Sequence, residues 1–328
     1  MKIAIAGSGR IVQTCLETLR EIDSITCTTL CVRPQSLQKG EAIARAFSIP
    51  HVVTDYSRLL ADGDFDFVYI GIVNQLHYSY AKQALEAGHH VILEKPMTST
   101  YEEMAHLAQL AKQQNCYLLE AITNIHSPIL AKVRQLLPRL RDVKLLQSNY
   151  SQYSSRYDDY LEGRVHPAFD PACSGGALFD LNIYNLHIAA ALFGKPDSVR
   201  YLANTGHNGI DTSGTVAMTY PGKVAVCTGA KDSESPGFTL VQGTNGFIRI
   251  NGATNACQSV SWQIDGETGE FADPNPDFRM LSEFRAFEQI WREQDWPRHL
   301  ELLEHSLTAM HIAHTARMSA GIRFAADL

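Results

Sequence analysis

The chain has 328 residues, 45% of them hydrophobic, and a formal net charge of −7 at pH 7. This length exceeds what one hydrophobic core usually organises, so we expect two domains. The acidic balance and the lack of a long basic run argue against a nucleic-acid surface, so the expected partner is a small molecule.

The chain opens with an apolar segment, predicted to be a strand over residues 2–6, and a glycine turn follows at once. The next helix is predicted to open at about Gly9 to Arg10, and residues 12–22 have a helical pattern. Backbone N–H groups at the start of such a helix bind anions, so the turn is expected to hold the pyrophosphate of a dinucleotide. Val12 stands where the full fingerprint has its third glycine. The residues expected to bind the cofactor here are Gly7, Ser8, Gly9, Arg10 and Ile11.

A second strand, predicted over residues 26–32, ends at Arg33. A sheet that binds NAD usually places an acidic side chain at this end to accept the ribose 2′-hydroxyl, and none is present before Glu41. Arg33 suits a 2′-phosphate instead, with Ser36 or Lys39 nearby. The sequence therefore favours NADP over NAD, although an arginine at a strand end is also an ordinary exposed charge.

Strand and helix patterns continue to alternate through the first third of the chain. Such alternation implies right-handed crossovers and a parallel sheet, so we predict a Rossmann-type, doubly wound α/β domain over residues 1–122. The further predicted elements are strands over 66–73, 90–93 and 116–120 and helices over 76–87 and 101–114.

Glu94-Lys95-Pro96 comes directly after an apolar strand. Proline cannot extend the strand ladder, so the chain must turn where ligands bind in open α/β sheets. Lys95 therefore places one ammonium at the expected ligand site. The alternative is a solvated charge at a strand end, with Pro96 starting the next helix.

A second candidate segment runs from Gly175 to Phe193 and is predicted to be helical. Asp180, Tyr184 and His187 would then lie within about 40° of Asp180 around the helix axis, on one face. A carboxylate, a phenol and an imidazole on one face suit the binding of a polyhydroxylated molecule and the movement of a proton. The alternative is a partly buried helix whose polar residues satisfy one another.

The remainder, residues 123–328, is predicted to be an α+β domain with a large, mostly antiparallel open sheet. Hairpin turns at Pro221-Gly222 and Asn245-Gly246 support the antiparallel pairing. Residues 153–171 lack periodicity and are predicted to form a loop over the active site. The candidate substrate contacts there are Tyr157, Arg164, His166 and Asp170, although the polarity of a surface loop explains them at least as well. The other predicted elements are strands over 143–152, 198–204, 214–220, 223–230, 239–242, 247–251 and 259–264 and helices over 127–140, 280–291 and 299–318.

These motifs, in this order, resemble the family of glucose-fructose oxidoreductase, inositol dehydrogenase and rhizopine-catabolism proteins (Gfo/Idh/MocA) over nearly the whole chain. The motifs are the glycine turn, residues 74–77, Glu94-Lys95-Pro96 and residues 175–187. Family members pair the lysine with a residue four positions beyond the aspartate. Here that residue is Tyr184, which favours the tyrosine-type branch.

The resemblance implies an NAD(P)-dependent oxidoreductase with Lys95, Asp180 and Tyr184 as catalytic residues. Tyr184 would move the proton, and the Lys95 ammonium would favour its phenolate and bind the substrate oxygen. The family also implies a cis Lys95-Pro96 peptide bond. The residues implied to line the nicotinamide are Asn74, His77, Glu94 and Lys95, and the expected substrate contacts are Lys95, Asp180, Tyr184, His187 and Tyr157.

Three functional hypotheses follow. The leading one is a dehydrogenase or reductase acting on a sugar, polyol or dihydrodiol. The second keeps the chemistry but makes the substrate a non-sugar carbonyl compound or a linear tetrapyrrole. The third is a non-catalytic dinucleotide-sensing regulator, which would have no need of both Lys95 and Tyr184.

Other features bound location and assembly. The seven scattered cysteines and thirteen histidines show no disulfide framework or metal motif, so we predict no metal. No apolar stretch is expected to be long enough to cross a bilayer and no leader is evident, so no membrane association and a cytoplasmic location are predicted. The family commonly buries the outer face of the second sheet against another subunit, which implies a homodimer or higher homo-oligomer. The alternative is a solvated face.

Overall fold

The computed structural model describes the backbone of residues 1–328 and the side chains of all of them apart from Asp62. The chain forms two compact units. Unit 1 contains Met1–Ala121 and Met280–Glu304, and unit 2 contains Ile122–Arg279 and His305–Leu328. Residues 280–304 therefore lie with unit 1, whereas the sequence-based division placed them in the second domain.

Unit 1 is built on a parallel sheet with the strand order β3-β2-β1-β4-β5-β6. This is the doubly wound Rossmann order, and the strand order reverses between β1 and β4, where such sheets bind ligands. The predicted Rossmann fold is confirmed. The strands are β1 (Lys2–Ala6), β2 (Thr26–Cys31), β3 (His51–Val53), β4 (Phe67–Ile70), β5 (His90–Glu94) and β6 (Leu118–Ala121).

Apolar residues at helical spacing pack the helices of unit 1 against the sheet. In the first helix, α1 (Arg10–Leu19), the buried face includes Val12, Leu16 and Leu19. α1 begins at Arg10 with Gly9 as its N-cap, where the sequence predicts the helix to open, and it ends at Leu19, before the predicted end at residue 22. The other helices up to β6 are α2 (Leu37–Phe47), α3 (Tyr56–Asp62), α4 (His77–Glu86) and α5 (Tyr101–Gln113).

A C-terminal segment returns to unit 1 and explains why residues 280–304 group there. The helix α9 (Leu281–Arg292) carries Phe284, whose ring centroid lies 6.0 Å from that of Tyr69 on β4. The helix α10 (Trp296–Ser319) begins in this unit, and Nε2 of its His299 accepts a hydrogen bond of 3.0 Å from the backbone N–H of Leu118. The start of α10 thereby contacts β6, the last strand of the Rossmann sheet.

Unit 2 contains a sheet with the strand order β14-β13-β12-β11-β7-β10-β9-β8. Among its described strands β7 and β10 pair in parallel and the other neighbours are antiparallel, which confirms the predicted large, mostly antiparallel sheet. The strands are β7 (Leu145–Ser151), β8 (Ser198–Thr205), β9 (Asp211–Tyr220), β10 (Lys223–Ala230), β11 (Phe238–Gly243), β12 (Gly246–Asn251), β13 (Ser259–Ile264) and β14 (Glu267–Ala272).

The two faces of the second sheet differ in burial. Helices α6 (Pro128–Leu136) and α8 (Ile183–Phe193) pack on one face, where residues such as Leu146 are fully buried. On the opposite face Leu145 and its registered partner Val224 are 40% and 38% exposed. Within unit 2, one face therefore forms the core and the other remains accessible.

The helix on the inner face starts irregularly. Residues Leu178–Asn182 form a π-helical turn that continues into α8. The stretch Pro171–Phe193 is long and apolar enough to cross a membrane, which corrects the expectation that no segment meets that criterion. Yet 72% of its most apolar window is buried inside the protein, and Asn182 and Asn185 donate hydrogen bonds of 2.8 Å to the carbonyls of Cys227 and Thr228 on β10. The apolar composition is therefore accounted for by a core helix.

The segment predicted as an irregular loop, residues 153–171, contains a short helix, α7 (Tyr157–Leu161). Its Tyr160 is 1% exposed and stacks on Phe169, with ring centroids 5.0 Å apart. Aromatic packing thus gives the segment local order that its polar sequence did not indicate.

Candidate active site

The glycine turn lies between β1 and α1 and leaves open space at the start of the helix. Gly7 has φ +129°, and a Cβ there would lie 2.3 Å from the carbonyl oxygen of Gly71, so only glycine fits. A Cβ at Gly9 would meet nothing within 4 Å. Gly9 is the N-cap of α1 and supplies no side-chain cap. The turn therefore fits a pyrophosphate, whose oxygens would accept hydrogen bonds from the N–H groups of the first helical turn.

The other predicted residues of this turn are accessible as well. Ser8 and Ile11 are partly exposed and Arg10 is exposed. The neighbouring strand β2 ends at Cys31, whose carbonyl accepts a hydrogen bond of 2.9 Å from the N–H of Gly7. Backbone pairing thus holds the turn at the point where the strand order reverses.

Arg33 follows β2 and is exposed. A short 3-10 turn, Pro34–Ser36, then leads into α2, and Lys39 in the first turn of α2 is exposed too. The segment from Arg33 to Gly40 contains no acidic residue. The end of β2 is therefore suited to a 2′-phosphate and unsuited to the carboxylate contact typical of NAD.

Glu94 and Lys95 lie at the end of β5. Glu94 is 6% exposed, and its two oxygens accept hydrogen bonds from the hydroxyl of Tyr69 at 2.6 Å and from the N–H of Lys95 at 3.2 Å. Burial, followed by the Glu94 charge, raises the pKa of Tyr69 well above its ordinary value, so this phenol stays protonated. Lys95 is partly exposed, and the Lys95-Pro96 peptide bond is cis, as predicted.

His77 connects two loops at this edge of the sheet. It is 1% exposed, with Nδ1 2.9 Å from the carbonyl oxygen of Pro96 and Nε2 3.2 Å from that of Ile72. Burial lowers its pKa. Both ring nitrogens face backbone carbonyls, so His77 holds the Pro96 segment in place rather than facing open space. Asn74, which begins the preceding 3-10 turn, is partly exposed.

In unit 2, Asp180 forms an ion pair that the sequence did not predict. Its Oδ2 lies 2.7 Å from Nζ of Lys231, the residue directly after β10. The Lys231 side chain is 2% exposed, whereas that of Asp180 is 37% exposed. A lysine directly after an apolar strand is the same signal that identified Lys95, and it was available at Lys231 too.

The sequence predicts that Asp180, Tyr184 and His187 share one face of a helix. In unit 2, His187 does not share an accessible face with Asp180. The π-helical turn at Leu178–Asn182 changes the spacing on which that prediction depended. His187 is fully buried, with Nδ1 3.0 Å from Nε2 of His305 on α10. His187 therefore faces the core of unit 2, while Asp180 is accessible.

Tyr184 lies one helical turn beyond Asp180 and is 5% exposed. Its ring packs edge-on against Tyr150 at a centroid distance of 6.0 Å. Its backbone carbonyl accepts a hydrogen bond of 2.8 Å from the amide of Asn124. The position of the phenol is thus fixed from both the ring and the backbone.

Tyr157 is partly exposed, and its ring packs in an aromatic group that contacts Lys231. Its ring centroid lies 5.8 Å from that of Phe169, and the Lys231 ammonium lies 4.3 Å from the Phe169 centroid. Asp180, Lys231, Phe169 and Tyr157 are therefore one connected group. Such a surface combines an ionised acceptor with an aromatic ring, which suits a polyhydroxylated ligand.

Among the residues that the structure describes, no group of three or more His, Cys, Asp or Glu side chains could hold a metal ion. The seven cysteines are free thiols.

The fold and these residues define a class, a dinucleotide-binding α/β enzyme with a second, antiparallel α+β domain. Residues 1–121 match the family model described as "Oxidoreductase family, NAD-binding Rossmann fold", and residues 138–249 match the "GFO/IDH/MocA C-terminal domain". The chain belongs to the Gfo/Idh/MocA family of NAD(P)-dependent oxidoreductases. The family resemblance seen in the sequence is confirmed, while the tyrosine-type branch stays a prediction.

Individual relatives match most or all of the chain. The scyllo-inositol 2-dehydrogenase (NADP(+)) IolU of Bacillus subtilis is 31% identical over 100% of this chain and 99% of its own. The trans-1,2-dihydrobenzene-1,2-diol dehydrogenase of Xenopus laevis is 26% identical over 76% of this chain and 74% of its own. The 3-ketoreductase KijD10 of Actinomadura kijaniata, solved with NADP and TDP-benzene, has a TM-score of 0.85 at 20% identity, with 97% of each chain covered. The last likeness establishes the fold alone.

Proposed function

We propose that this protein is an NADP-dependent dehydrogenase of a cyclic polyol of the inositol type, interconverting a secondary alcohol and the corresponding ketone. The observation that carries the proposal is the similarity to a scyllo-inositol 2-dehydrogenase (NADP(+)) over the full length of both chains. The accessible Asp180, which is linked to the ring of Tyr157 through Lys231 and Phe169, supports a ligand with many hydroxyl groups.

The cofactor would be held by unit 1. The N–H groups at the start of α1 would donate hydrogen bonds to the pyrophosphate, since the space at Gly9 is open. Arg33 would meet the 2′-phosphate, because a guanidinium forms charge-assisted hydrogen bonds with phosphate oxygens. Asn74 and Lys95 would lie on the nicotinamide side, with His77 and Glu94 holding the loops that carry them.

Nicotinamide, when bound, exchanges a hydride with the carbon that bears the substrate oxygen. The protein has to orient that carbon and move the hydroxyl proton. We assign the transfer of this proton to the phenol of Tyr184. We assign to the ammonium of Lys95 a hydrogen bond that it donates to the reacting oxygen. Asp180 would accept a hydrogen bond from a neighbouring substrate hydroxyl and so fix which carbon reacts.

The direct test is turnover of a panel that includes scyllo-inositol, myo-inositol, D-xylose and a trans-dihydrodiol, each with NADP⁺ and with NAD⁺. The absorbance of the reduced nicotinamide monitors the reaction. We expect the highest kcat/KM with an inositol and NADP⁺. Nucleotide binding without oxidation of any alcohol, or reduction of any matching ketone, would contradict the proposal and favour a dinucleotide-sensing regulator.

We also propose that the protein forms a homo-oligomer through the outer face of the second sheet. On this face Leu202 on β8 is 75% exposed, and Leu145 and Val224 are 40% and 38% exposed. The strand register puts all three on the same side of the sheet. Sedimentation should give a dimer or larger species that Leu202→Glu and Val224→Glu together dissociate. A monomeric wild-type protein would contradict this assignment.

A cytoplasmic location is proposed as well. Seven free cysteines are what a reducing compartment allows, because thiols in oxidising compartments tend to pair. Cell fractionation would test it, and recovery outside the cytoplasmic fraction would contradict it.

A further inference from the structure

Lys231 is a buried charge that the catalytic assignment above does not use. Its ammonium has three N–H donors. One is directed to the carbonyl oxygen of Ala168 at 2.6 Å and another to Oδ2 of Asp180 at 2.7 Å. The ammonium also lies 4.3 Å from the ring centroid of Phe169, within cation–π range. The head group is thus fixed on three sides.

The backbone of Lys231 is fixed too. The residue directly follows β10, and its N–H donates a hydrogen bond of 2.8 Å to the carbonyl of Thr212 on β9. A flexible lysine stem would otherwise lose much rotamer entropy on being held in one geometry. Because the strand end and the ring of Phe169 already restrict it, Lys231 can hold a partner in a defined place.

Asp180, in contrast, sits on an irregular turn. It lies in the π-helical segment Leu178–Asn182, and its side chain is 37% exposed while that of Lys231 is 2% exposed. The pair therefore has one end in the interior and one end at an accessible surface.

A second carboxyl near Lys231, the buried one of Asp211, offers a competing explanation for its role. Asp211 is 1% exposed, and its Oδ2 accepts hydrogen bonds from the N–H of Leu178 at 2.6 Å and the hydroxyl of Tyr201 at 2.8 Å. Lys231 contributes only an electrostatic effect to Asp211, whereas it bonds Asp180 directly. The direct contact identifies Asp180 as the group on which Lys231 acts.

We propose that Lys231 is a positioning residue for the polyol site. It holds the carboxylate of Asp180 ionised and in one orientation, so that Asp180 accepts a substrate hydroxyl from a fixed position. The inference deepens the proposed function and rests on it. It also separates two roles, because a carboxylate kept ionised by a bonded ammonium serves binding, and the proton is left to Tyr184.

The test compares Lys231→Met with wild type in steady-state kinetics and in a dead-end complex. Scyllo-inositol is titrated into the enzyme–NADPH complex, in which no turnover occurs. Lys231→Met should raise KM and the dead-end Kd for scyllo-inositol about 10- to 100-fold, the range expected for loss of a charge-assisted hydrogen bond. The kcat should stay within about threefold, since the proton-transfer groups remain. The affinity for NADPH should not change.

Lys223→Met is the matched control. Lys223 begins the same strand, and its ammonium lies 5.1 Å from the ring centroid of Phe193, so it also combines a lysine with an aromatic ring. It should leave KM, kcat and the dead-end Kd as in wild type. A role confined to folding would instead lower the stability of the Lys231 variant while KM stayed unchanged, and that result would overturn the inference.

A double-mutant cycle tests whether Lys231 acts through Asp180. Asp180→Asn should raise KM by a similar factor, and Asp180→Asn with Lys231→Met should be no worse than Asp180→Asn alone. Multiplicative losses would overturn the inference. If Lys231→Met does not fold, the double variant still decides the question, because it leaves no carboxylate without its cation.

A readout independent of substrate separates this inference from the proposed function. In ¹⁵N NMR of the lysine ammonium groups, Lys231 should give a signal protected from exchange that shifts in Asp180→Asn and persists in Lys223→Met. Failure of wild type to bind any polyol would count against the proposed function. Absence of a protected, Asp180-dependent signal would count against the ion pair itself.

Discussion

In unit 1 the groups at the carboxyl ends of β1 and β2 face open space, with nothing within 4 Å of a Cβ at Gly9 and an exposed Arg33. In unit 2 the polar groups near the end of β10 bond to one another, as Asp180 does to Lys231. The first arrangement suits a ligand bound by backbone N–H groups and one guanidinium. The second suits a ligand recognised by side chains already fixed in place. Under the proposed function, unit 1 would therefore bind the cofactor and unit 2 would select the substrate.

The largest expected effect breaks the chemistry while leaving cofactor binding intact. Tyr184→Phe and Lys95→Ala should each lower kcat about 10²- to 10⁴-fold, the usual contribution of a proton-transfer group, with the Kd for NADPH little changed. Stopped-flow turnover and NADPH fluorescence measure the two quantities. Tyr220→Phe is the control, since Tyr220 packs against Phe193 at the other end of the α8 helix. Wild-type turnover in either variant would remove that residue from the assignment.

Arg33→Ala sharpens the role of unit 1. The variant should bind NADPH about 10- to 100-fold more weakly, because a charge-assisted hydrogen bond to the 2′-phosphate is lost, and bind NADH as wild type does. Isothermal titration with both nucleotides measures the difference. Arg45→Ala, an exposed arginine on α2, is the matched control. Equal losses for the two nucleotides would show that Arg33 does not meet the phosphate.

The two glycines of the turn should respond differently to alanine. Gly7→Ala places a Cβ 2.3 Å from a backbone carbonyl at a positive φ, so it should destabilise the fold by about 1–3 kcal/mol. Gly9→Ala adds a methyl group to open space, so it should leave the unfolding midpoint unchanged and weaken NADPH about tenfold or more. Urea unfolding and nucleotide titration of both variants measure this. Loss of stability without loss of affinity in Gly9→Ala would contradict a phosphate at this turn.

The smallest effect concerns stability at low pH in unit 1. His299 is fully buried, and burial lowers its pKa to about 4. The unfolded chain takes up a proton here below about pH 6.5, which the folded protein resists, so stability falls as the pH drops from about 6.5 to 4, by at most about 3 kcal/mol. His299→Gln should flatten that dependence in urea unfolding, and exposed His51→Gln should not. The same slope in wild type and His299→Gln would contradict the assignment.

The sequence predicted the Rossmann unit well because its core strands are continuous apolar runs, as at residues 2–6 and 90–93. A glycine turn follows the first of these runs and Glu94-Lys95-Pro96 follows the second, and both mark the strand ends. It missed β3 and α2, since β3 has three residues and α2 exposes many polar side chains. β14 was missed because most of its residues are exposed and no apolar alternation marks it.

The candidate site was only partly predictable for a different reason. Lys95 stands beside a proline and a strand end, so local sequence was enough. Lys231 bonds Asp180 across 51 residues of chain, and a single sequence gives no register between a helix and a strand so far apart. The π-helical turn that carries Asp180 has the apolar composition of an α-helix, so the sequence does not distinguish the two. Regular α-helical spacing therefore predicted that His187 faces a ligand, whereas its side chain lies beside His305.

The central claim is that the protein moves a hydride between a polyol and NADP. Incubation of NADP⁺ with scyllo-inositol deuterated at its ring carbons, followed by mass spectrometry of the nucleotide, tests it most directly. The account predicts that the reduced nucleotide gains deuterium with wild type and not with Tyr184→Phe on the same timescale. A nucleotide that binds but stays unlabelled, with scyllo-inositol and with every other polyol offered, would contradict the account.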